Sequence, residues 1–370
     1  MRIGILTSSR ADYGIYLPLL NKIKKDSFFS LEIIAFGTHV SNSHGYTVED
    51  IVKDGFSTIH KIASFISNDD AQSIASSYGL TTLKFADFWA EHHYDMVFCL
   101  GDRFEMNAAV QAGIPLGVKF AHIHGGETTL GAIDNIYRHQ ISLASSWHFT
   151  ATSIFSDKVA TLLETKNNVY TVGSLSIDEL ASFSPMEKEL FLKTYSIPDK
   201  DYALITFHPE TISFEHNFAY AKSMKNALLT LAKDVFLVIT MPNADTLGSI
   251  YRDEIMALKK ESPENVLLIE NFGKNNYFSA MRYAKVMIGN TSSGIIEAAS
   301  FGKYVVNVGD RQKGRVQSQN VFDVPFDEKL IVEKTHNISG KGEFVGDNVY
   351  SIGGTADAII KIIKDVYENL

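Results

Sequence analysis

The sequence predicts an α/β protein built from two doubly wound parallel sheets. Three observations carry that expectation. Short apolar, β-branched runs alternate with longer amphipathic ones, as they do when strands are buried on both faces and connected by crossover helices. The alternation pauses once, around "GSLSIDELASFSPMEKELFLKTYSIPDKD", and then restarts. At 370 residues, with near-average composition, the chain has room for two cores of ordinary size.

In the first half the strand-like runs are "RIGILTSS", "LEIIAFG", "DMVFCLG", "LGVKFAHIHG" and "WHFTAT", and the first domain is expected over residues 1–175. In the second half "YALITFH", "VFLVITMP", "VLLIENF", "VMIGN" and "YVVNVGD" repeat the pattern, and the second domain is expected over 176–355. The closing stretch 356–370 reads as an amphipathic helix with Ile359, Ile360, Ile363 and Val366 on one face. Open α/β sheets take their ligands outside the C-terminal ends of the strands, so a site in the cleft between the two domains is expected.

Composition narrows the function classes. A formal charge of −9 argues against broad nucleic-acid binding and leaves room for one basic pocket that holds a small anion. The N-terminal "MRIGILTSSR" has too short an apolar run for a signal peptide or a membrane span. A single cysteine, Cys99, allows no intrachain disulfide, which fits a reducing cytoplasm. "TSSRADYG" follows the first strand without a G-x-G-x-x-G fingerprint, and no acid ends the second strand, so no nicotinamide cofactor is expected.

The polar clusters all lie just past strand ends. Asp102 and Arg103 follow "MVFCLG"; Asp102 either caps the next helix or faces a sugar while Arg103 holds a phosphate. In "HIHGGE", His122 and His124 stand two apart on a strand, as two ligands on one face would, but no H-E-x-x-H or C-x-x-C completes a set, and no metal is expected. Gly125 and Gly126 would let the backbone approach a ligand, and Glu127 would enter the crevice as an acid or base. Asp134 opens the helix "DNIYRHQISLAS" as a cap or as a further acid, with Arg138 and His139 one turn on either as ordinary surface residues or as supporting residues beside it.

In the second half, His208 of "ITFHPE" emerges where Pro209 stops the strand. "IGNTSSGIIEAASFGK" runs from a strand through Thr291, Ser292, Ser293 and Gly294 into a helix whose amide groups favour a phosphate. Glu297 has Gly294 three residues before it, so a capping box does not account for it, and it is placed to accept ribose hydroxyls. Arg311 and Arg315 of "NVGDRQKGR" are further phosphate candidates, and Tyr277 or Phe278 either stacks on a base or belongs to the core.

Taken in order, "SSRADYG", "LGDRFE", "HIHGGETTLGAIDNIYRH", "TFHP", "GNTSSGIIEAASFG" and "NVGDRQKGR" resemble the hydrolysing UDP-N-acetylglucosamine 2-epimerases of bacterial sialic acid synthesis. The resemblance spans nearly the whole chain. It implies a GT-B fold of two Rossmann-like domains, with the C-terminal helix crossing back onto the first. It implies Asp102, Glu127 and Asp134 as catalytic carboxylates and His208 as a catalytic residue on the phosphate side. Arg10, Arg103, Asn243, Thr291, Ser292, Ser293, Glu297 and Arg311 would hold the UDP-sugar. No cofactor is implied, and a homodimer or homotetramer is expected. Three departures stand out: Glu210 where relatives often carry valine, which bears on the sugar accepted; Asn135 where a second acid is usual, which leaves Asp134 as the one carboxylate there and bears on which position of that helix is catalytic; and Thr291 in place of a usual serine, expected to bind similarly. The open alternatives are the same reaction on a UDP-2,4-diacetamido or GDP-linked sugar, a non-hydrolysing 2-epimerase, a GT-B glycosyltransferase, and a nucleotide-sugar binding protein.

Overall fold

The computed structural model describes residues 1–368, apart from Ser67, Asp69, Glu179, Ala181, Ser182, Ser213 and residues 243–246. They form two compact units: Met1–Glu127, Asp134–Glu179 and Tyr350–Leu370 make the first, Thr128–Ile133 and Leu180–Val349 the second. This differs from a contiguous division at 175/176 and 355/356, because a short strap, Thr128–Ile133, belongs to the second unit.

In the first unit β1 (Arg2–Thr7), β2 (Ser30–Phe36), β3 (Ile59–Ile62), β4 (Met96–Leu100), β5 (Phe120–Ile123), β6 (Ser145–Thr150) and β7 (Val169–Thr171) form one sheet. Its order is β3-β2-β1-β4-β5-β6-β7, and every pairing is parallel. Successive residues feed opposite faces: Ile3, Ile5, Met96 and Phe98 enter one core, Leu6, Ile34, Val97 and Cys99 the other. That two-sided burial is why "MVFCL" is apolar at every position. Burial also pushes the Cys99 thiol up to about 12, which leaves it unreactive.

The C-terminal helix Thr355–Glu368 belongs to this unit. Ile359 and Ile363 are fully buried in its core, Ile360 and Val366 pack against that core, and Lys22–Asp357 and Lys364–Asp26 ion pairs flank the contact. Its first two amides, those of Thr355 and Ala356, donate to the Asp178 carboxylate at 2.5 and 3.0 Å, which satisfies donors that a helix start leaves open.

The second unit holds β8 (Tyr202–Thr206), β9 (Phe236–Thr240), β10 (Val266–Ile269), β11 (Val286–Gly289), β12 (Val305–Val308) and β13 (Val321–Val324) in the order β10-β9-β8-β11-β12-β13, again all parallel. Ile205, Ile239 and Ile288 enter one core; Tyr202, Leu204, Val238 and Met287 enter the other.

The strand order reverses between β1 and β4 in the first sheet and between β8 and β11 in the second. At such points the connections leave in opposite directions and open a crevice beyond the strand ends. Among the described residues no helix is long and apolar enough to cross a membrane.

Candidate functional site

The first unit gathers its acids beyond β1, β4 and β5. At the end of β1, Asp12 is the local organiser. Its carboxylate accepts the Ser8 and Ser9 amides at 2.8 and 2.9 Å and the Thr7 hydroxyl at 2.8 Å, while Ser9 and Asp12 complete a capping box on the helix Arg10–Lys25. Arg10 is thereby presented, exposed, on the first turn.

Beyond β4 the N-cap of the next helix is Arg103, with no side-chain cap bond, so Asp102 is not a capping residue. Its carboxylate instead pairs with Arg138, whose side chain is 1% exposed. Arg138 also donates from Nη1 to the Glu127 carbonyl at 2.7 Å. Because Arg138 lies one turn along the helix Asp134–Ala144, one buried guanidinium ties together Asp102, the Glu127 backbone and the helix that starts at Asp134. Its planar fork suits two acceptors at once. Arg103 makes two bonds of 3.2 Å to the buried Glu105 carboxylate, which fixes its guanidinium beside the end of β4.

Glu127 is 2% exposed, and its Oε1 lies 2.6 Å from His124 Nδ1. The other ring nitrogen of His124 is 3.4 Å from the Ser174 hydroxyl, which contacts Ser176 at 3.0 Å. His124 takes a positive φ of 66°, a conformation that costs a non-glycine residue energy and is retained here by its contacts.

This geometry corrects two readings of "HIHGGE". Strand alternation ends at Ile123, so His122 and His124 do not act as a pair: His122 is bonded to Ser142 Oγ at 3.0 Å and the Gly101 carbonyl at 2.8 Å. Among the described residues no group of three or more His, Cys, Asp or Glu is placed to hold a metal ion. The glycines are also explained by the protein's own packing. Gly126 has φ 77°, and a Cβ there would lie 2.3 Å from the Phe155 carbonyl, so the close approach is to a neighbouring helix.

His122 and His148 are buried as neutral rings, and burial lowers them to about 3 and about 4. The unfolded chain binds protons that the folded chain refuses, so their contribution is complete above about pH 6.5 and is lost as the pH falls toward those values. At pH 5 each is expected to cost about 2 kcal/mol of stability relative to pH 7. Urea unfolding at the two pH values measures this; a midpoint in His122→Gln as acid-sensitive as the parent's would contradict the assignment to His122.

In the second unit, Asn290 at the end of β11 grips His208 at the end of β8. Asn290 Oδ1 accepts the His208 amide at 2.7 Å, and Asn290 Nδ2 donates to the His208 carbonyl at 2.8 Å. Thr291 then caps the helix Ser292–Ile296 through the Ser293 amide. This helix has five residues and gives way to a 3-10 turn, Ala298–Phe301, so Glu297 ends it, 7% exposed, and lies outside its first turn. Burial raises the Tyr277 phenol beside Glu297 to about 12, and Phe278 lies in the core against Phe183 and Phe301. Beyond β12, Gln312 Nε2 donates to the Asn290 carbonyl at 2.9 Å and holds the turn that carries Arg311. Asn243 lies outside the described residues.

The residues that sequence reasoning passed over are Asp12 and Asn290; His124 was named, but as a partner of His122 and not of Glu127. Asp12 was findable from the S-x-x-D spacing of "SRAD", and Asn290 from its place as the first polar residue after an apolar run.

The sequence profile of the UDP-N-acetylglucosamine 2-epimerase family matches residues 21–364. The chain belongs to that family. Within the UDP-N-acetylglucosamine 2-epimerases, it is 35% identical over 323 residues to a Campylobacter jejuni protein named GDP/UDP-N,N'-diacetylbacillosamine 2-epimerase (hydrolyzing), covering 87% of this chain and 84% of that one. It is 32% identical over 366 residues to a Legionella pneumophila protein named UDP-N,N'-diacetylbacillosamine 2-epimerase (hydrolyzing), covering 99% and 96%. The crystal structure of UDP-GlcNAc 2-epimerase from Neisseria meningitidis bound to UDP-GlcNAc superimposes with a TM-score of 0.81 at 17% identity, over 99% of this chain and 100% of that one. The two sheets are therefore the Rossmann-like domains of the GT-B fold. This member of the family is an enzyme of the 2-epimerase kind.

Proposed function

We propose that the chain is a hydrolysing 2-epimerase of a UDP-linked 2-acetamido sugar. The observation that carries the reading is the assembly of Asp102, Glu127 and the helix start at Asp134 around one buried arginine. Binding alone has no use for three acids there. Inversion at C2 does, because a proton must leave one face and return to the other while water is guided to C1.

In an α-linked sugar nucleotide the C2 hydrogen and the C1 oxygen can stand anti. Loss of the proton and departure of UDP then give a glycal. Water adds at C1, and a proton is delivered to the opposite face of C2. The C2 hydrogen is weakly acidic, so C1–O cleavage runs ahead of proton loss and positive charge builds on the ring, which carboxylates stabilise. His208, Arg311 and the turn at Thr291–Ser293 are assigned to the departing diphosphate, Arg10 and Arg103 to the same anion, and Glu297 to the ribose.

UDP-N-acetylglucosamine, giving N-acetylmannosamine, is the simplest substrate. A second reading, UDP-N,N'-diacetylbacillosamine, is favoured by the names of the Campylobacter and Legionella relatives. Free UDP release from each nucleotide sugar, with no acceptor present, separates the two and sets both apart from a glycosyltransferase.

Isotopes test the chemistry. In D2O the free product sugar is expected to carry deuterium at C2, and in H2(18)O the label is expected at C1 of the sugar and to be absent from UDP. A non-hydrolysing epimerase gives the deuterium without free sugar. Hydrogen retained at C2 of an epimerised product would rule out elimination through exchangeable carboxylates.

A further inference from the structure

Glu210 is a buried acid that this reaction leaves unused. Its side chain is 3% exposed, yet its Oε1 accepts the Asp310 amide at 2.5 Å, and the Arg311 amide donates to the same carboxylate. Its own backbone is fixed on both sides by Asn217, which accepts the Glu210 amide at 3.0 Å and donates to the Glu210 carbonyl at 2.8 Å. The carboxylate therefore joins the loop after β8, which carries His208, to the turn after β12, which carries Arg311. It is turned into the protein's own backbone, so the departure from valine at this position is not a sugar contact.

The strap Thr128–Ile133 is seated on those same two segments. The Leu130 amide donates to the Lys313 carbonyl at 2.9 Å, and the Ile133 amide to the Thr211 hydroxyl at 2.9 Å. Between them Gly131 lies so close to the turn that a Cβ would stand 2.4 Å from the Asp310 carbonyl oxygen. The strap's covalent neighbours are Glu127 and Asp134.

We propose that Glu210 is a positioning residue: its ionised carboxylate locks the Asp310–Arg311 turn to the His208 loop and so builds the seat of the strap, through which nucleotide at the turn sets Glu127 and Asp134. The proposal rests on the function assigned above for the meaning of those four residues, while the seat itself stands on geometry alone. A carboxylate is suited to the task because it accepts two amides with charge-assisted bonds, which offsets the cost of burying it. The groups facing it are the Asp310 carboxylate, the Arg311 guanidinium and the phenols of Tyr220 and Tyr251, the latter two held protonated. Burial first, then Asp310, raises Glu210 from the ordinary carboxylate range, against the pull of the two amides and Arg311.

The test uses the full chain with UDP as probe, or GDP where it binds more tightly. Amide hydrogen exchange of segment 128–133 is measured with and without nucleotide, alongside nucleotide affinity, KM and kcat. In the parent, nucleotide slows exchange of the segment. In Glu210→Val the segment exchanges at least about tenfold faster and the slowing is lost, with lower kcat and weaker nucleotide binding. In the parent, protonation of Glu210 is expected to raise KM as the pH falls; Glu210→Gln keeps an acceptor without the charge, so its KM is expected to be raised already at neutral pH and to show no such acid-dependent rise. Gly131→Ala perturbs the seat from the other side, with Glu210 intact: exchange of the strap quickens and kcat falls while nucleotide affinity is retained.

Strap exchange in Glu210→Val equal to that of the parent, with or without nucleotide, overturns the proposal. So does a variant set in which only the unfolding midpoint moves. A chain that turns over no sugar nucleotide would remove the proposed function, but the exchange rates would still decide whether Glu210 builds the seat.

Discussion

Glu127→Gln is expected to lower kcat at least about a hundredfold while leaving UDP affinity within about twofold of the parent. The amide has the shape of the carboxylate and can still meet the His124 ring at the position now 2.6 Å from Oε1, so the fold around it is kept. It cannot take up or return a proton. Glu297→Ala is the contrast, since a residue assigned to the ribose should lose affinity and keep most of its turnover once saturated. Steady-state kinetics and a UDP titration read both. If Glu127→Gln retained more than about a tenth of the parent kcat, a change under roughly 1.4 kcal/mol, Glu127 would not be the proton-transfer group.

Arg138→Met is expected to be the most disruptive single change, because it removes the partner of Asp102 and a donor to the Glu127 carbonyl together. Breaking a buried pair leaves a charge uncompensated, at a cost of about 3 kcal/mol, the lower end of the usual range because Asp102 keeps some contact with water. Both tryptophans, Trp89 and Trp147, lie in the first unit, so tryptophan fluorescence during urea unfolding reports on the affected part. Arg138→Lys is expected to restore little activity, since a single ammonium lacks the planar fork that spans two acceptors. Adding Asp102→Asn to Arg138→Met should recover part of the lost stability and none of the turnover. An unchanged fluorescence midpoint and kcat in Arg138→Met would show that the arginine organises nothing.

The sequence was most informative where burial is two-sided. "MVFCL" is apolar at every position, and "YALIT" and "FLVIT" are apolar up to a buried terminal threonine, because both faces of a central strand are covered, and each is a strand. The strands β3, β7 and β13 went unread, and all three lie at sheet edges. "IHKI" and "VYT" have no fully buried residue and "VFDV" only one, so little in their composition separates them from loop.

The polar residues of the site divide in the same way. Asp102, Glu127, His208 and Thr291 could be picked out because a polar residue that ends an apolar strand is visible along the chain. The partner of Asp102 could not, because the pairing closes a separation of 36 residues between a strand end and a helix. Gly125 and Gly126 pointed to a close approach, but not to what approaches: it is Phe155, on a later helix, that crowds Gly126. Glu210 was visible only as a departure, and its two backbone donors come from about a hundred residues away.

What the sequence determined by itself is the α/β class, the positions of the central strands along the chain, the kinds of chemical group at their ends and, through six ordered motifs, the family. Those properties are written locally, because periodicity follows burial and strand ends follow the loss of apolar runs. The tertiary structure alone decided that one arginine serves Asp102 and Glu127, that His122 and His124 have separate partners, and that the strap between Glu127 and Asp134 belongs to the other unit. The His124–Glu127 contact is local and set by the turn after β5; the others pair segments distant in sequence, and hydrogen-bond geometry of that kind exists only once the sheets have brought the segments within about 3 Å of one another.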